Sequence, residues 1–401
     1  MAVQIRGAGY RQSPDGGMIA SDGHPSVVLY KRRIFEPNER SFVMALFHPL
    51  SVRDLRRETP SCVSVSFTVP PGLQEDFAFR PGQYLTLRTR LNGEEVRRSY
   101  SICTGPQDGE LRVAIKKVPE GKFSTFANEQ LHVGDTVEVM PPKGNFTTPL
   151  DPAHQRLYVA YAAGSGITPV MSLLRAILQQ EPKSRFMLFY GNRYTETIIF
   201  RDQLEDLKNT YLDRLVIHHI LSQEHYFTDM FAGRISREKC EAYGRMLYAP
   251  GEVDAFFLCG PKPMIDDVQA TLEAQGVDKD RIHYELFNTG FPKHQGSKPV
   301  PEKRKREGVA AEVEIVMDGS RFRFQMERGK DSVLDAAQKA GADLPFSCKG
   351  GICSTCRAKV LSGDVSMDVN YALEPEEVEQ GYVLTCQSHP STRHLVLDFD
   401  S

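Results

Sequence analysis

Four cysteines near the C-terminus constrain this chain more than any other feature. The sequence runs Cys348-Lys349-Gly350-Gly351-Ile352-Cys353-Ser354-Thr355-Cys356, and Cys386 follows after 29 intervening residues. Three thiolates from one short loop and a fourth from a distant segment suit a small 2Fe–2S cluster, because the loop must wrap it tightly. Gly350 and Gly351 let backbone N–H groups approach the cluster sulfides with no side chain in the way. Those amide dipoles stabilise the negative charge added on reduction. Structural zinc is the competing use of four thiolates, but it takes paired knuckles such as C-x2-C…C-x2-C. An x4 loop with two glycines and a lone distal cysteine matches that poorly. The expected ligands are Cys348, Cys353, Cys356 and Cys386, the last arriving on a strand over 382–386.

The other four cysteines, Cys62, Cys103, Cys240 and Cys259, lie far apart. A secreted disulfide scaffold is smaller and denser in cysteine, so a reducing, cytoplasmic setting is expected. The 401 residues suggest two to four domains, and 40% hydrophobic residues suffice for packed cores. The net charge of −3 gives no reason to expect nucleic acid or an anionic membrane as a partner. The first ten residues lack the apolar core of a signal peptide. The longest uncharged run, 157–174, is interrupted by Gly164-Ser165-Gly166 and Thr168-Pro169. It reads as a buried strand, turn and helix and not as a membrane span.

Residues 1–43 carry Gly, Ser, Pro and Arg without a sustained period. They read as an extension, either sequence upstream of a start at Met44 or a disordered arm, with no assigned function. Over 44–150, short alternating runs separated by turn signals predict an antiparallel barrel. The runs are 62–69, 83–89, 97–103, 111–117 and 136–140, with a hairpin signal at Asn92-Gly93. Over 151–292 the period changes. Apolar runs at 157–163, 186–190, 215–221, 255–259 and 282–286 alternate with helical stretches, including 169–180 and 262–275. That alternation predicts a parallel sheet with helices on both faces, binding ligands at the carboxyl ends of its strands. Residues 293–308 read as a linker. Its run Lys303-Arg304-Lys305-Arg306 is read as a solvated tether in preference to a nuclear address. The segment 309–401 holds 9 Lys/Arg against 15 Asp/Glu, net −6, which leaves +3 for the rest. Strands are expected at 309–317 and 320–326, then a helix from Ser332, where Ser332 and Asp335 match a capping box.

Two groups of motifs suggest nucleotide chemistry. Arg98-Ser99-Tyr100-Ser101 lies on a barrel strand. An Arg can fork onto a pyrophosphate, a Tyr ring can cover a flavin ring, and a Ser can bond the flavin edge. Alone, the motif is also what an ordinary alternating strand looks like. It gains weight from Phe79-Arg80-Pro81-Gly82-Gln83-Tyr84 before it and Gly121-Lys122-Phe123-Ser124 after it, the latter able to open a phosphate-binding helix. In the second group, Gly164-Ser165-Gly166-Ile167-Thr168-Pro169 joins a strand to a helix, where a phosphate or nicotinamide sits in an open α/β sheet. It is not G-x-G-x-x-G. Cys259-Gly260-Pro261 ends a later strand of the same sheet. Cys259 is either a small buried hydrophobe or a neighbour of the nicotinamide ring, a role that needs no thiolate. Arg193 ends the second strand, and Arg234 could add a second cation. Both favour NADPH, while Glu196 keeps NADH open. The pair His218-His219 lacks metal-ligand spacing and reads as structural.

In order, these motifs resemble the ferredoxin–NADP reductase superfamily over about 60–290, and 309–401 resembles plant-type ferredoxins. The arrangement looks like the oxygenase reductases that carry a C-terminal ferredoxin. More closely, it resembles the reductase subunits of phenylacetyl-CoA epoxygenase complexes, on 79–85, 94–103, 190–193, 343–356 and Asn370-Tyr371-Ala372-Leu373-Glu374-Pro375. The resemblance implies a multidomain chain: an antiparallel β-barrel FAD domain, an α/β parallel-sheet NAD(P) domain and an α+β β-grasp ferredoxin domain. It implies that Arg98, Ser99, Tyr100 and Ser101 hold FAD, with Lys122 and Ser124 near its pyrophosphate. It implies that Gly164, Gly166, Thr168, Cys259 and Gly260 line the nicotinamide site, and Lys116, Ser165 and Pro261 are expected among the cofactor-binding residues. Phe287 stands where relatives place the aromatic over the second flavin face. Ser101, Thr168, Cys259 and Phe287 are the residues expected nearest the chemistry.

The implied activity is electron transfer from NADPH through FAD and the 2Fe–2S cluster to the subunits of a diiron oxygenase. A flavin must stand between a two-electron donor and a one-electron acceptor. The alternatives are a reductase for another oxygenase or for a hydroxylamine-reducing partner, and a non-enzymatic 2Fe–2S redox sensor.

Overall fold

Turn chemistry and alternation build the first large sheet. In the structure, a computed structural model, residues 10–12, 18–20, 47–224, 229–287, 310–317, 319–373 and 375–401 are described. Tyr10–Gln12 (β1) and Met18–Ala20 (β2) pair antiparallel. The remainder of the extension expected over 1–43, Met44 and the linker at 293–308 lie outside the described residues.

The first large sheet runs β6-β5-β8-β3-β4-β7, every pairing antiparallel. Its strands are His48–Thr59 (β3), Cys62–Thr68 (β4), Tyr84–Leu91 (β5), Glu94–Ser101 (β6), Leu111–Lys116 (β7) and Thr136–Val139 (β8). A bridge from Ile102 to Val113 joins the two edges and closes the barrel. Leu50, Val63, Val65, Leu85, Leu87, Val113 and Val139 fill it. The β5–β6 turn is the expected Asn92-Gly93, with φ of 53° and 81°. Both residues are left-handed, as a two-residue hairpin of this twist requires. Strand β3 had no counterpart among the expected runs. Register shifts between Val52 and Asp54 and between Arg57 and Thr59 break its alternation. Helix α1 (Lys122–Glu129) lies on the barrel.

The second sheet is wholly parallel, in the order β11-β10-β9-β12-β13. Its strands are Leu157–Ala163 (β9), Arg185–Asn192 (β10), Leu215–Leu221 (β11), Ala255–Gly260 (β12) and Ile282–Leu286 (β13). The helices are Ile167–Gln180 (α2), Arg201–Thr210 (α3), Arg237–Met246 (α4) and Lys262–Ala274 (α5). Alternate residues of β9 face opposite ways. Tyr158 and Ala160 pack with Val170, Leu173 and Ile177 of α2. Val159 and Tyr161 pack with Cys240 and Tyr243 of α4 and Ile265 and Val268 of α5. This is why the strand reads as an unbroken apolar run. The strand order reverses between β9 and β12, and ligand crevices of open sheets lie at such a reversal. Among the described residues, no helix is long and apolar enough to cross a membrane.

The third sheet, β15-β14-β20-β16-β18, is mixed, with the β14–β20 pair parallel. It comprises Ala310–Met317 (β14), Ser320–Glu327 (β15), Arg357–Ser362 (β16), Tyr382–Leu384 (β18) and His394–Asp398 (β20). Val365–Met367 (β17) pairs with Ser388–Pro390 (β19), and Val333–Lys339 (α6) and Pro375–Glu379 (α7) complete the module. Val333, Leu334 and Ala337 of α6 join Val313, Ile315 and Leu397 in its core. The capping box is realised in part. Ser332 Oγ accepts from the Asp335 N–H at 3.2 Å. The Asp335 carboxylate takes the Ser332 hydroxyl at 3.0 Å and the Lys349 ammonium at 2.8 Å, side-chain donors that draw it away from the helix start.

Candidate functional site

The three modules of residues 42–401 meet around one cavity of about 710 Å³. That is within the range of cofactor sites. The barrel contributes Arg98, Ser99, Tyr100, Ser101, Lys116 and Ser124; the parallel sheet contributes Ser165, Thr168, Glu285 and Phe287; the third module contributes Cys348 and Cys353.

On the barrel wall, the β5–β6 register sets Tyr84 opposite Ser101 and Thr86 opposite Ser99. Ser99 Oγ lies 3.1 Å from Thr86 Oγ1. Tyr100 packs on Phe123, ring centroids 5.6 Å apart. Arg98 is exposed and anchored by one Nη1 contact to Arg97 O at 2.6 Å. Ser101 Oγ donates to Glu285 Oε2 at 3.1 Å, joining barrel to sheet. Burial pushes the Glu285 carboxyl up to about 8, against the opposing pull of the Ser101 hydrogen bond. The cavity therefore holds an aromatic wall, a guanidinium, hydroxyls and a buried acid, a donor set that fits a flavin nucleotide. Ser124 is buried at the start of α1, donating to Gly121 O at 3.2 Å and accepting from the Val118 N–H at 3.3 Å. Lys122, expected near the FAD pyrophosphate, is the first residue of α1. It is exposed, pairs with Glu94 Oε2 at 2.5 Å, and is not among the residues lining the cavity, because the first turn of α1 points it outward.

At the reversal of the parallel sheet, Gly164 leaves β9 with a φ of 54°, and the Tyr190 hydroxyl donates to its carbonyl at 3.0 Å. A Cβ on Gly166 would lie 2.0 Å from Cys259 O, and one on Gly260 would lie 2.7 Å from Met264 Cε. At Gly166 the two segments thus pack backbone to backbone, which only glycine allows, whereas at Gly260 the nearest atom is the movable end of the Met264 side chain. Thr168 Oγ1 donates to Ser165 O at 3.0 Å. Cys259 is fully buried, and burial holds its thiol well above the usual range, so it is a neutral neighbour. Pro261 caps α5. Lys116 reaches over the turn, its Nζ 3.5 Å from where a Gly164 Cβ would stand. Burial pulls this ammonium below the ordinary lysine range, and the nearby Arg193 charge adds to the pull. Arg193 and Arg234 are exposed at the carboxyl end of the sheet. The Gln223 N–H donates to Arg193 O at 3.0 Å, and a Leu221–Ala232 bridge brings Gly233-Arg234 beside the end of β11. Neither arginine lines the cavity. His218 stacks on Phe189 and Phe231 at 5.1 and 4.9 Å, the structural role expected for it.

All eight thiols of the chain are free, and the four in the third module fall into two neighbouring pairs, Cys348 with Cys353 and Cys356 with Cys386. Their sulfurs accept from Gly350 N (3.3 Å, to Cys348), Cys348 N (3.5 Å, to Cys353), Thr355 Oγ1 (3.1 Å, to Cys353) and Gln387 Nε2 (3.5 Å, to Cys386). Lys349 and Ser354 hold left-handed φ values of 51° and 52° in this loop. Among the described residues, no three His, Cys, Asp or Glu side chains close on a single-ion site. Two thiol pairs with donors aimed at the sulfurs fit two bridged irons better than one zinc ion.

Two residues of the site were not among the expected ones. Tyr84 lay in a motif treated only as company for Arg98. Glu285 is not singled out by any motif, although a lone carboxylate within the strand Ile282–Leu286 is itself a signal.

Comparison with known proteins agrees with this geometry. Residues 50–148 match the oxidoreductase FAD-binding domain, 161–270 the oxidoreductase NAD-binding domain, and 315–391 the 2Fe-2S iron-sulfur cluster binding domain. The chain is 43% identical to a subunit of the 1,2-phenylacetyl-CoA epoxidase of Escherichia coli K12 over 358 residues, 89% of this chain and 99% of that protein. It is 35% identical to the ferredoxin reductase component of the 3-ketosteroid-9-alpha-monooxygenase of Rhodococcus rhodochrous, over 87% of this chain and 96% of that one. In structure it is similar to phthalate dioxygenase reductase, with a TM-score of 0.52 and 23% identity, covering 88% of this chain and 98% of the other. The chain therefore belongs to the family of FAD- and NAD-binding, 2Fe–2S reductase components of oxygenases, and is an electron-transfer oxidoreductase.

Proposed function

We propose that this chain is the NADPH-dependent reductase of a phenylacetyl-CoA epoxygenase, a cytoplasmic component that passes electrons to a diiron oxygenase partner. The observation that carries the reading is 43% identity to a component of the Escherichia coli epoxidase along nearly the whole of that protein. A flavin bound here would turn the electron pair of a pyridine nucleotide into the single electrons that a 2Fe–2S centre accepts. Arg98 and Ser99 would hold the flavin nucleotide, Tyr100 and Phe287 would cover its ring, and Ser101, kept in place by Glu285, would bond its edge. Lys116, Ser165 and Thr168 would receive the nicotinamide nucleotide over the turn from Gly164 to Gly166, with Cys259 and Gly260 shaping the floor. Arg193 and Arg234 favour a 2′-phosphate and hence NADPH. Cys348, Cys353, Cys356 and Cys386 would hold the irons, with the Thr355 hydroxyl and backbone amides donating to their sulfurs. The net −6 of residues 309–401 suits a basic docking patch on the oxygenase, and charge of that kind speeds encounter more than it tightens binding.

Anaerobic titration with NADPH, followed by visible and EPR spectra, tests the order of transfer. Flavin bleaching should precede a reduced-cluster signal, and Cys353→Ser should keep the first and lose the second. Turnover with the oxygenase components of the epoxygenase and phenylacetyl-CoA tests the acceptor. Cluster reduction in the absence of any flavin, or turnover only with an unrelated oxygenase, would overturn the corresponding half of the reading.

A further inference from the structure

We infer that Tyr84 is a positioning residue for electron transfer between flavin and cluster, its hydroxyl tying the cluster loop to the strand that faces the flavin. The inference rests on the cofactor assignment above. Tyr84 is 5% exposed and stands opposite Ser101 in the β5–β6 register. Its phenol donates to Cys353 O and lies 3.1 Å from Thr355 Oγ1. Thr355 Oγ1 is in turn 3.1 Å from Cys353 Sγ. One side chain thus touches the peptide of a cluster ligand at one end and belongs, by its backbone, to the flavin wall at the other. The same ring lines the cavity together with Cys348 and Cys353.

The backbone around Tyr84 is fixed for this task. Its N–H donates to Lys143 O at 2.8 Å, and the Lys143 N–H returns to Tyr84 O at 3.0 Å. Gly144 has a φ of 116°, and a Cβ there would lie 3.0 Å from Tyr84 Cδ1, so the ring rests where a glycine alone leaves room. The preceding Gly82 is equally constrained, since its Cβ would stand 1.8 Å from Phe146 O. The motif Pro81-Gly82-Gln83-Tyr84 is thereby explained as a mount for the tyrosine. A second tether, Arg97 Nη2 to Asp343 Oδ1 at 2.6 Å, holds the same module at a separate point. It leaves the hydroxyl of Tyr84 to set the position of the Cys353 loop.

In each transfer the reduced flavin loses one electron and the oxidised cluster gains one, the pair having come from the pyridine nucleotide. The rate of such a step falls steeply with separation, so a loop that samples looser positions transfers more slowly. Losing one buried neutral hydrogen bond shifts such an equilibrium by about tenfold, equivalent to about 1.4 kcal/mol.

The test is Tyr84→Phe in the FAD- and iron-loaded protein. Transfer is read at equal flavin and iron loading, once the flavin is fully reduced, so that any change in flavin reduction by NADPH does not enter the rate; iron content and the cluster midpoint potential should stay at wild-type values. Stopped-flow transfer from flavin to cluster should slow about tenfold, and amide hydrogen exchange should quicken in the peptide spanning 344–356. Tyr84→Leu, which also removes the ring, should slow transfer at least as much. Unchanged transfer and exchange in Tyr84→Phe, with slowing only in Tyr84→Leu, would overturn the inference in favour of ring packing. Loss of iron from Tyr84→Phe, or a potential shift large enough to explain the slower rate, would also overturn it. Failure of the wild type to reduce its cluster after its flavin would instead strike the cofactor reading on which the inference rests.

Discussion

Ser101 and Glu285, 184 positions apart in the chain, meet at 3.1 Å where the barrel touches the parallel sheet. The serine is the last residue of β6 and the glutamate the penultimate residue of β13. Their contact places a proton-bearing acid behind the hydroxyl proposed to bond the flavin edge.

Burial raises the Glu285 carboxyl from its usual range to about 8. The folded state therefore binds this proton more tightly than the unfolded chain does. The stability it contributes is fully present below about pH 4.5 and is lost as pH rises towards 8. Thermal melts across pH 5–9 should show wild-type stability falling relative to Glu285→Gln as pH increases. Flavin reduction by NADPH should slow about tenfold or more in Ser101→Ala, because the flavin edge loses its placed hydroxyl. Parallel melting curves for the glutamine variant and the wild type would refute the buried-acid assignment.

Asp343 of the ferredoxin module pairs with two barrel arginines, Arg97 at 2.6 Å and Arg88 at 3.3 Å. The Arg97 side chain is 4% exposed and lies over the Phe346 ring at 4.3 Å and the Phe47 ring at 5.0 Å, with Glu95 as a further partner at 2.6 Å. Because Glu95 remains beside Arg97 and Glu138 beside Arg88, Asp343→Asn should cost about 1–2 kcal/mol and not the full penalty of orphaned buried charges. Chemical denaturation should show the loss, together with slower flavin-to-cluster transfer. No change in either would mean that Asp343 does not hold the module.

Arg193→Ala should raise KM for NADPH about tenfold and leave KM for NADH nearly unchanged, since only NADPH carries the phosphate that a guanidinium would pair with. Steady-state ferricyanide reduction, which bypasses the cluster, reads this directly. Equal effects on both nucleotides would place Arg193 on a phosphate that they share.

Gly166→Ala should destabilise the protein by about 1–3 kcal/mol, because its methyl would stand 2.0 Å from Cys259 O and must push β12 away from the turn. Nucleotide binding should weaken as well, measured by NADP⁺ affinity at a temperature where the variant is folded.

The barrel, the parallel sheet and the cluster loop were legible because each has a local signature. Leu157–Ala163, Leu215–Leu221 and Ile282–Leu286 are apolar runs whose ends coincide with observed strands. Asn92-Gly93 and the spacing from Cys348 to Cys356 carry their meaning within a few residues. Strand β3 was not legible, since its bulges destroy the alternation on which such a reading depends. The pairing of Lys122 with Glu94 was not legible, because the phase of a short helix decides which way its first side chain points.

By itself, the order of residues determined the cofactor types, the three sheet classes and the thiols that could hold iron, since spacing, period and turn chemistry act over short stretches of chain. Only the tertiary structure decided that Glu285 stands behind Ser101, that Tyr84 reaches the carbonyl of Cys353, and that Lys122 turns to Glu94. The first two contacts join separate modules. No local pattern encodes the partner of a side chain when that partner lies on another sheet, because docking of the modules sets their relative position.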